Sequence, residues 1–519
     1  MERMTGIDPM FIYSDTPETP MEVAYACVFD PSGVEGGYSF ERVVLLLEER
    51  IPEMRPFRRR LMDVPLGLDH PRWVDDPDFD LSNHVHRAAL PTPGGETEFA
   101  EMVAAVMGRP LQTGQPPWEM HVIEGLAGGM VGLIAKVHHA VIDGVAGAQL
   151  FAQLLDLSPE GRAVTETCRP WVPPKLPTQA GLMGDALSDI FTSPVRLLRA
   201  ARETGRTAVR LVRRAAGAGS GPVTIPIGAP ATFETAVTAR RQVAFAALDM
   251  GQVRLVRDRF GATINEVVLA ICSGALRTHL LANGEESEDP LVAVVPVSVR
   301  DRDADADSGG NQLSAMFVPL SNDLQTPLER LRTVRASSTA CKRQELAVGF
   351  GPMASLLSDA VPPALARPVI QLGVRSGILR RLRPGNLMIS NVPGPDFPLY
   401  FAGMQLRAVH PLGPVVDGVS LNITVQSYID TLFVGINASA VAVPDLPGLS
   451  RCLEDELTLL AKMAENATSR HGTTARPGRH RPAPGDAGES GERRIPRPGD
   501  VRTGGLERPH VTVSADRTT

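Results

Sequence analysis

The stretch Lys136-Val137-His138-His139-Ala140-Val141-Ile142-Asp143-Gly144 decides how this 519-residue chain is read. It closes an apolar, β-branched run, Met130–Val137 (MVGLIAKV), with the length and composition of a buried strand. It leads into Ala146–Leu157, where apolar residues recur at helical spacing. HHxxxDG therefore falls where a strand ends and the chain turns toward a helix beginning near Gly144. Consecutive strand side chains point to opposite faces, so His138 and His139 cannot both ligate one ion there. No third or fourth ligand follows at a familiar spacing, and no metal is expected. Imidazole titrates near pH ~6.5 and suits proton abstraction from an alcohol. Asp143, a carboxylate before the turn-permissive Gly144, orients a ring or holds the loop through an ion pair.

The same alternation continues outward. Leu291–Val299 (LVAVVPVSV) reads as a second buried strand, and Ile264–Leu281 carries helical spacing. Mixed α/β structure in two lobes is the expected fold class. The N-terminal lobe is placed at residues 1–175 and the C-terminal lobe at 229–468. A proline-rich and basic crossover at 176–228 joins them. Within it Pro194–Ala216 reads as a helix with seven arginines between Arg196 and Arg214, a pattern shared by solvated linkers and membrane-surface helices. Residues 469–519 are rich in Arg, Gly, Pro and Thr, and no Phe, Tyr or Trp occurs from His471 onward. Disorder is expected there, because such a stretch cannot bury enough apolar surface to offset its ordering entropy.

Composition removes several function classes. The net charge of −7 argues against a polyanion partner, and no nucleic acid is expected. Five scattered cysteines form no CxxC pair and fit a reducing compartment. Met1–Met10 holds Glu2 and Asp8 rather than an apolar leader core, and no run approaches the ~18 apolar residues of a spanning helix. A cytoplasmic chain, peripheral at most on an inner membrane surface or lipid droplet, is the expectation. No GxSxG elbow, GxGxxG loop or GxxxxGK[ST] loop occurs. Base-assisted transfer is the chemistry that remains.

With HHxxxDG in place, further segments carry a resemblance. They are Asp8-Pro9-Met10-Phe11 through Asp15-Thr16-Pro17-Glu18-Thr19-Pro20-Met21, His70-Pro71-Arg72-Trp73-Val74-Asp75-Asp76, and Phe79-Asp80 with His84-Val85. Pro116-Pro117-Trp118-Glu119 leads on to Ile123-Glu124-Gly125-Leu126. Gly261-Ala262-Thr263-Ile264-Asn265-Glu266, Pro296-Val297-Ser298-Val299-Arg300, Gly310-Asn311, Ser390-Asn391-Val392-Pro393-Gly394-Pro395 and Leu421-Asn422-Ile423 follow in order. Together they resemble the bacterial bifunctional wax ester synthase/diacylglycerol acyltransferases of the HHxxxDG superfamily, from Ile7 to about Ala464. Two segments depart from the family pattern: Pro117 stands for Leu in PLW, and Glu266 for Asp in the ND motif.

The resemblance implies two chloramphenicol-acetyltransferase-like lobes around a tunnel, with two substrates entering from opposite sides. It implies a long-chain acyl-CoA as co-substrate, no resident cofactor, and diacylglycerol or a fatty alcohol as acceptor. His139 matches the catalytic base, with His138 supporting and direct transfer from the thioester. Asn265 is a candidate oxyanion donor or a helix cap, Asp143 a loop-positioning group paired with Arg300, and Trp118 a packing residue. Ser390 and Asn391, ahead of Pro-Gly-Pro, suit a rigid turn. A carrier-protein condensation enzyme and a weakly active lipid-surface binder are the competing functions. Oligomeric state and the preferred acceptor stay open.

Overall fold

A strand buried on both faces marks the middle of a covered sheet, and all eight residues of Val131–His138 are buried. The computed structural model describes residues 1–141, 147, 151–161, 175–188, 228–231, 233, 235–286, 289–298, 313–348, 363–382 and 385–472. Asp143, Gly144, Arg300, Gly310-Asn311, the basic segment 194–216 and the tail beyond Gly472 lie outside the described residues. The first half contributes β1 (Glu2–Arg3), β2 (Glu22–Asp30), β3 (Arg59–Met62), β4 (Arg72–Asp75), β5 (Val85–Ala89), β6 (Trp118–Glu124) and β7 (Val131–His138). The second contributes β8 (Arg241–Asp249), β9 (Val292–Ser298), β10 (Leu313–Pro319), β11 (Leu387–Val392), β12 (Tyr400–Phe401), β13 (Met404–Leu412), β14 (Leu421–Tyr428) and β15 (Thr431–Ser439).

These strands build two six-stranded mixed sheets, ordered β12-β13-β2-β7-β6-β5 and β10-β9-β11-β14-β15-β8, and a small sheet β1-β4-β3. The mixed α/β class with two sheet-rich lobes holds. Strands β12 and β13, from within 229–468, pair into the first sheet: β13 runs antiparallel to β2 from Gln405 opposite Asp30 to Leu412 opposite Ala24. The chain then returns to the second sheet at β14, which pairs with β15 along eight residues. Apolar alternation drives this exchange. Phe401, Met404, Leu406 and Val409 join the β2 and β7 side chains Cys27, Phe29, Leu133 and Val137 in one core. On the opposite face Ala24, Ala26 and Ile134 meet Val243, Phe245 and Leu412. The helix Glu96–Met107 contributes Phe99, Val103 and Met107 to that second layer.

The helix Ile264–Ala282 matches its expected span and is long and apolar enough to cross a membrane. It is a core helix: Val267 through Leu276 are buried against the second sheet. Its start is a sequence-encoded joint. Gly261, at φ 63°, ends the helix Met250–Phe260 in the left-handed conformation that glycine adopts without a Cβ penalty. Thr263 then caps the next helix. Its hydroxyl accepts from Glu266 N–H at 3.3 Å, and its own N–H donates to Glu266 Oε2 at 2.8 Å. Thr263, not Asn265, is the cap, and the Glu that departs from the family's ND pattern is the carboxylate of this box. The turn Pro393-Gly394-Pro395 is equally tight. Gly394 N–H donates to Ser427 Oγ at 3.1 Å, and a Cβ on Gly394 would stand 1.9 Å from Ser427 O.

Candidate active site

The histidine pair continues β7 by one residue beyond its last ladder partners. His138 N–H donates to Pro117 O at 3.0 Å, toward β6, and His139 N–H donates to Met21 O at 2.8 Å, toward β2. The two peptides are thus clamped from opposite neighbours, and the side chains diverge as strand geometry requires. His138 is 4% exposed. Its Nδ1 accepts Ala140 N–H at 3.1 Å, which leaves the proton of a neutral ring on Nε2. That nitrogen faces Asp15 Oδ2 at 3.6 Å, and Asp15 Oδ1 accepts Met21 N–H at 3.1 Å. His139 is half-buried, and the Phe11 ring stacks on it at 4.4 Å and 12°. Met4, Trp73 and Ala140 form an apolar cluster here, with Phe11, Ile12, Leu61 and Val141 against it. One histidine is fixed by its neighbours, and the other is presented in an apolar setting.

Behind the pair lies a buried ion network. Lys136, two residues before His138 and on the same face of β7, is fully buried with its Nζ 2.8 Å from Glu22 Oε2. It also donates to Val106 O at 3.0 Å and to Arg109 O, and lies 3.3 Å from Glu119 Oε1. Glu22 stands directly opposite His138 in the β2–β7 register, and its Oε1 accepts Leu111 N–H at 2.6 Å. Burial holds the Glu22 carboxyl above the usual carboxylate range, with Lys136 opposing part of that shift. Desolvating two charges costs several kcal/mol each, so the lysine, its paired carboxylates and the two carbonyls must be present together for the network to be tolerable. Arg241 ties the segment before β2 to the second sheet by donating to Glu18 O at 2.8 Å, and burial lowers its pKa to about 10.

The remaining sequence candidates separate. Asn265 is the second residue of its helix and half-buried. Trp118 is a packing residue: its Nε1 donates to Phe57 O at 2.7 Å, and its ring stacks on His84 at 4.5 Å. Phe79 also packs on His84, at 5.4 Å, and lies 6.5 Å from Trp118, so three motif residues form one aromatic cluster. Asn422 is buried, with Nδ2 donating to Pro414 O at 3.0 Å and Oδ1 accepting from the Thr424 hydroxyl at 2.7 Å. Asn391 lies in β11, opposite Val425 of β14.

Sequence reasoning missed Asp15, Phe11 and the Glu22–Lys136 pair as neighbours of the histidines. Asp15 and Phe11 sit inside the opening motif, which carried the only signal. It also missed a cluster of His86, Glu119 and His121, whose ligand-type atoms lie within 4.8 Å of one another. Parallel β5–β6 pairing sets His86 beside His121, and His121 Nε2 lies 3.3 Å from Glu119 Oε1.

With this geometry in hand, the comparisons with known proteins are specific. The profile of the wax ester synthase/diacylglycerol acyltransferase catalytic domain matches residues 4–268, and that of the WS/DGAT C-terminal domain matches 309–461. A Mycobacterium tuberculosis (strain ATCC 25618 / H37Rv) protein provisionally named a diacylglycerol O-acyltransferase is 38% identical over 483 residues, covering 90% of this chain and 91% of that one. The wax ester synthase/diacylglycerol acyltransferase from Marinobacter aquaeolei VT8 is similar in structure, with a TM-score of 0.64 and 25% identity over 90% of this chain and 100% of that one. A trichothecene 15-O-acetyltransferase from Fusarium sporotrichioides shares the fold at TM-score 0.55 and 11% identity, over 88% and 94% of the two chains. The chain belongs to the wax ester synthase/diacylglycerol acyltransferase family and is an acyltransferase.

Proposed function

We propose that the chain transfers a long-chain acyl group from acyl-CoA to diacylglycerol or a long-chain fatty alcohol, giving triacylglycerol or wax ester and free CoA. The observation that carries this reading is the division of labour at the end of β7. His138 is buried, with Nδ1 accepting Ala140 N–H and Asp15 Oδ2 3.6 Å from Nε2, while His139 is half-buried against the Phe11 ring. His139 takes the hydroxyl proton as the alcohol oxygen attacks the thioester carbonyl. The C–O bond forms, the C–S bond breaks, and the proton passes to the departing CoA sulfur. No acyl-enzyme is required, because holding both substrates converts a bimolecular reaction into an effectively unimolecular one. His138 supports the loop, Asp143 positions it with Arg300, and Asn265 is offered as an oxyanion donor. No resident cofactor or metal enters the scheme. The substrates meet in a tunnel between the lobes, a reading supported by the apolar surroundings of His139. The protein works in the cytoplasm, in peripheral contact with the surface that holds its lipid acceptor.

The test is product formation from labelled palmitoyl-CoA with dioleoylglycerol and hexadecanol in competition. Ester formation with either acceptor is expected. Transfer only from a carrier-protein thioester, or none from CoA, would overturn the substrate assignment.

A further inference from the structure

Among the described residues, the helix Pro363–Arg375 and the short helix Ile378–Leu382 leave an unusual surface in water. Leu365, Val369 and Leu372 follow the i, i+4, i+7 spacing of one helix face, yet they are 64%, 70% and 70% exposed. Ile378 adds a fourth exposed aliphatic, at 47%. A contiguous exposed apolar patch of this kind on a soluble chain marks an interaction surface. Its border is mainly basic, with Arg380 paired to Asp417 at 3.8 Å. Residues 363–382 hold Arg367, Arg375, Arg380 and Arg381 and no acidic residue, in a chain whose net charge is −7. Large exposed aliphatics bordered by arginines are the pattern of helices that lie in the plane of a membrane interface.

The inner side of the same helix leads to the chemistry. It packs on the helix Asp8–Ser14, and Ala364 lies 3.5 Å from the Cβ position of Gly67. A cavity of about 210 Å³ lies between them, with Tyr13, Asp69, Arg367 and Pro368 in its wall. Helix Asp8–Ser14 carries Phe11, whose ring stacks on His139. One helix therefore separates the exposed aliphatic face from the histidine pair.

We propose that Leu365, Val369, Leu372 and Ile378, with Arg375 and Arg381 beside them, dock the protein on an anionic phospholipid surface and turn the Phe11–His139 side toward it. The docking rests on the exposed face and its charge. Its consequence for catalysis rests on the lipid-acceptor reading above. Burial of the aliphatics supplies the membrane affinity, and each arginine near an anionic surface adds roughly fivefold.

The experiment uses the full-length protein and co-sedimentation with phosphatidylcholine vesicles, with and without phosphatidylglycerol. Wild type is expected to bind the anionic vesicles at least tenfold more tightly than the neutral ones. Leu365→Ser/Val369→Ser/Leu372→Ser is expected to weaken that binding at least tenfold. The same variant keeps its circular dichroism and its ester formation from palmitoyl-CoA with hexanol, a dispersed acceptor, while its turnover of vesicle-borne dioleoylglycerol falls. Arg375→Gln/Arg381→Gln, which leaves the apolar face intact, is expected to abolish the preference for anionic lipid. Wild-type failure to bind, or unchanged binding by the serine variant, overturns the proposal. Loss of self-association in the serine variant with vesicle binding intact also overturns it, and makes the face a contact between copies. Vesicle binding that shifts as expected, in a protein that forms no ester with any alcohol, upholds docking and removes the function proposed above.

Discussion

The two six-stranded sheets bury polar groups in opposite ways. At the middle of the first, β7 and β2 carry a lysine and a glutamate 2.8 Å apart, beside the histidine pair. In the second, β14 and β15 set Asn422 opposite Asn437, both buried and both neutral. Asn422 Nδ2 donates to Pro414 O and Asn437 Nδ2 to Gly413 O, at 3.0 and 2.8 Å. At this strand pair the second sheet thus buries amides that keep one charge state at any pH. The first holds ions that must be compensated, directly behind the histidine pair. The contrast sets ionic burial beside the histidine motif and neutral burial away from it.

The largest expected stability effect breaks the charged side. Lys136→Met leaves Glu22 buried without its cation and is expected to cost about 3–5 kcal/mol in chemical denaturation. Lys136→Met/Glu22→Gln should recover much of that loss, and no recovery would mean the lysine acts by packing alone. The next effect tests the joint between the sheets. His410 of β13 hydrogen-bonds Val434 O of β15 through Nδ1 at 3.0 Å, and burial lowers its pKa to about 4. The folded ring stays neutral where an unfolded histidine, near pKa ~6.5, takes a proton. Its contribution to stability is therefore complete above that pH and falls as pH drops from about 6.5 to about 4, by up to roughly 3 kcal/mol. His410→Gln should flatten the slope of unfolding free energy against pH in that window. An unchanged slope would show that the ring is charged or solvated in the fold. Smallest is the neutral side: Asn437→Ala should cost about 1–3 kcal/mol, with no change in pH dependence.

Much of the scaffold was legible because it is repetitive physics. Val131–His138, Val292–Ser298 and Ile264–Ala282 announce themselves through runs and periods that burial demands, and each lies within a residue or two of its expected span. The partnership of β13 with β2 was not legible. An apolar strand from residues 404–412 fits either sheet, and only the assembled core selects one. The histidine pair could be found by its motif, but not what holds it. Asp15 and Glu22 lie more than 110 positions before His138 and read as ordinary acids until β2 pairs with β7. Departures from family pattern were legible as letters and not as structure, since Glu266 becomes intelligible only as the partner of Thr263 in a helix cap. The aliphatic face at Leu365, Val369 and Leu372 has helical spacing too, and periodicity alone assigns such a stripe to a core.

The central claim is that the half-buried member of the pair moves the proton and the buried member holds it in place. Single-turnover ester formation from palmitoyl-CoA and hexadecanol, measured for wild type, His139→Ala and His138→Ala at matched folded fraction, tests this directly. His139→Ala is expected to lose about 10²–10⁴-fold, and His138→Ala to retain clear activity. Full product formation by His139→Ala would contradict it.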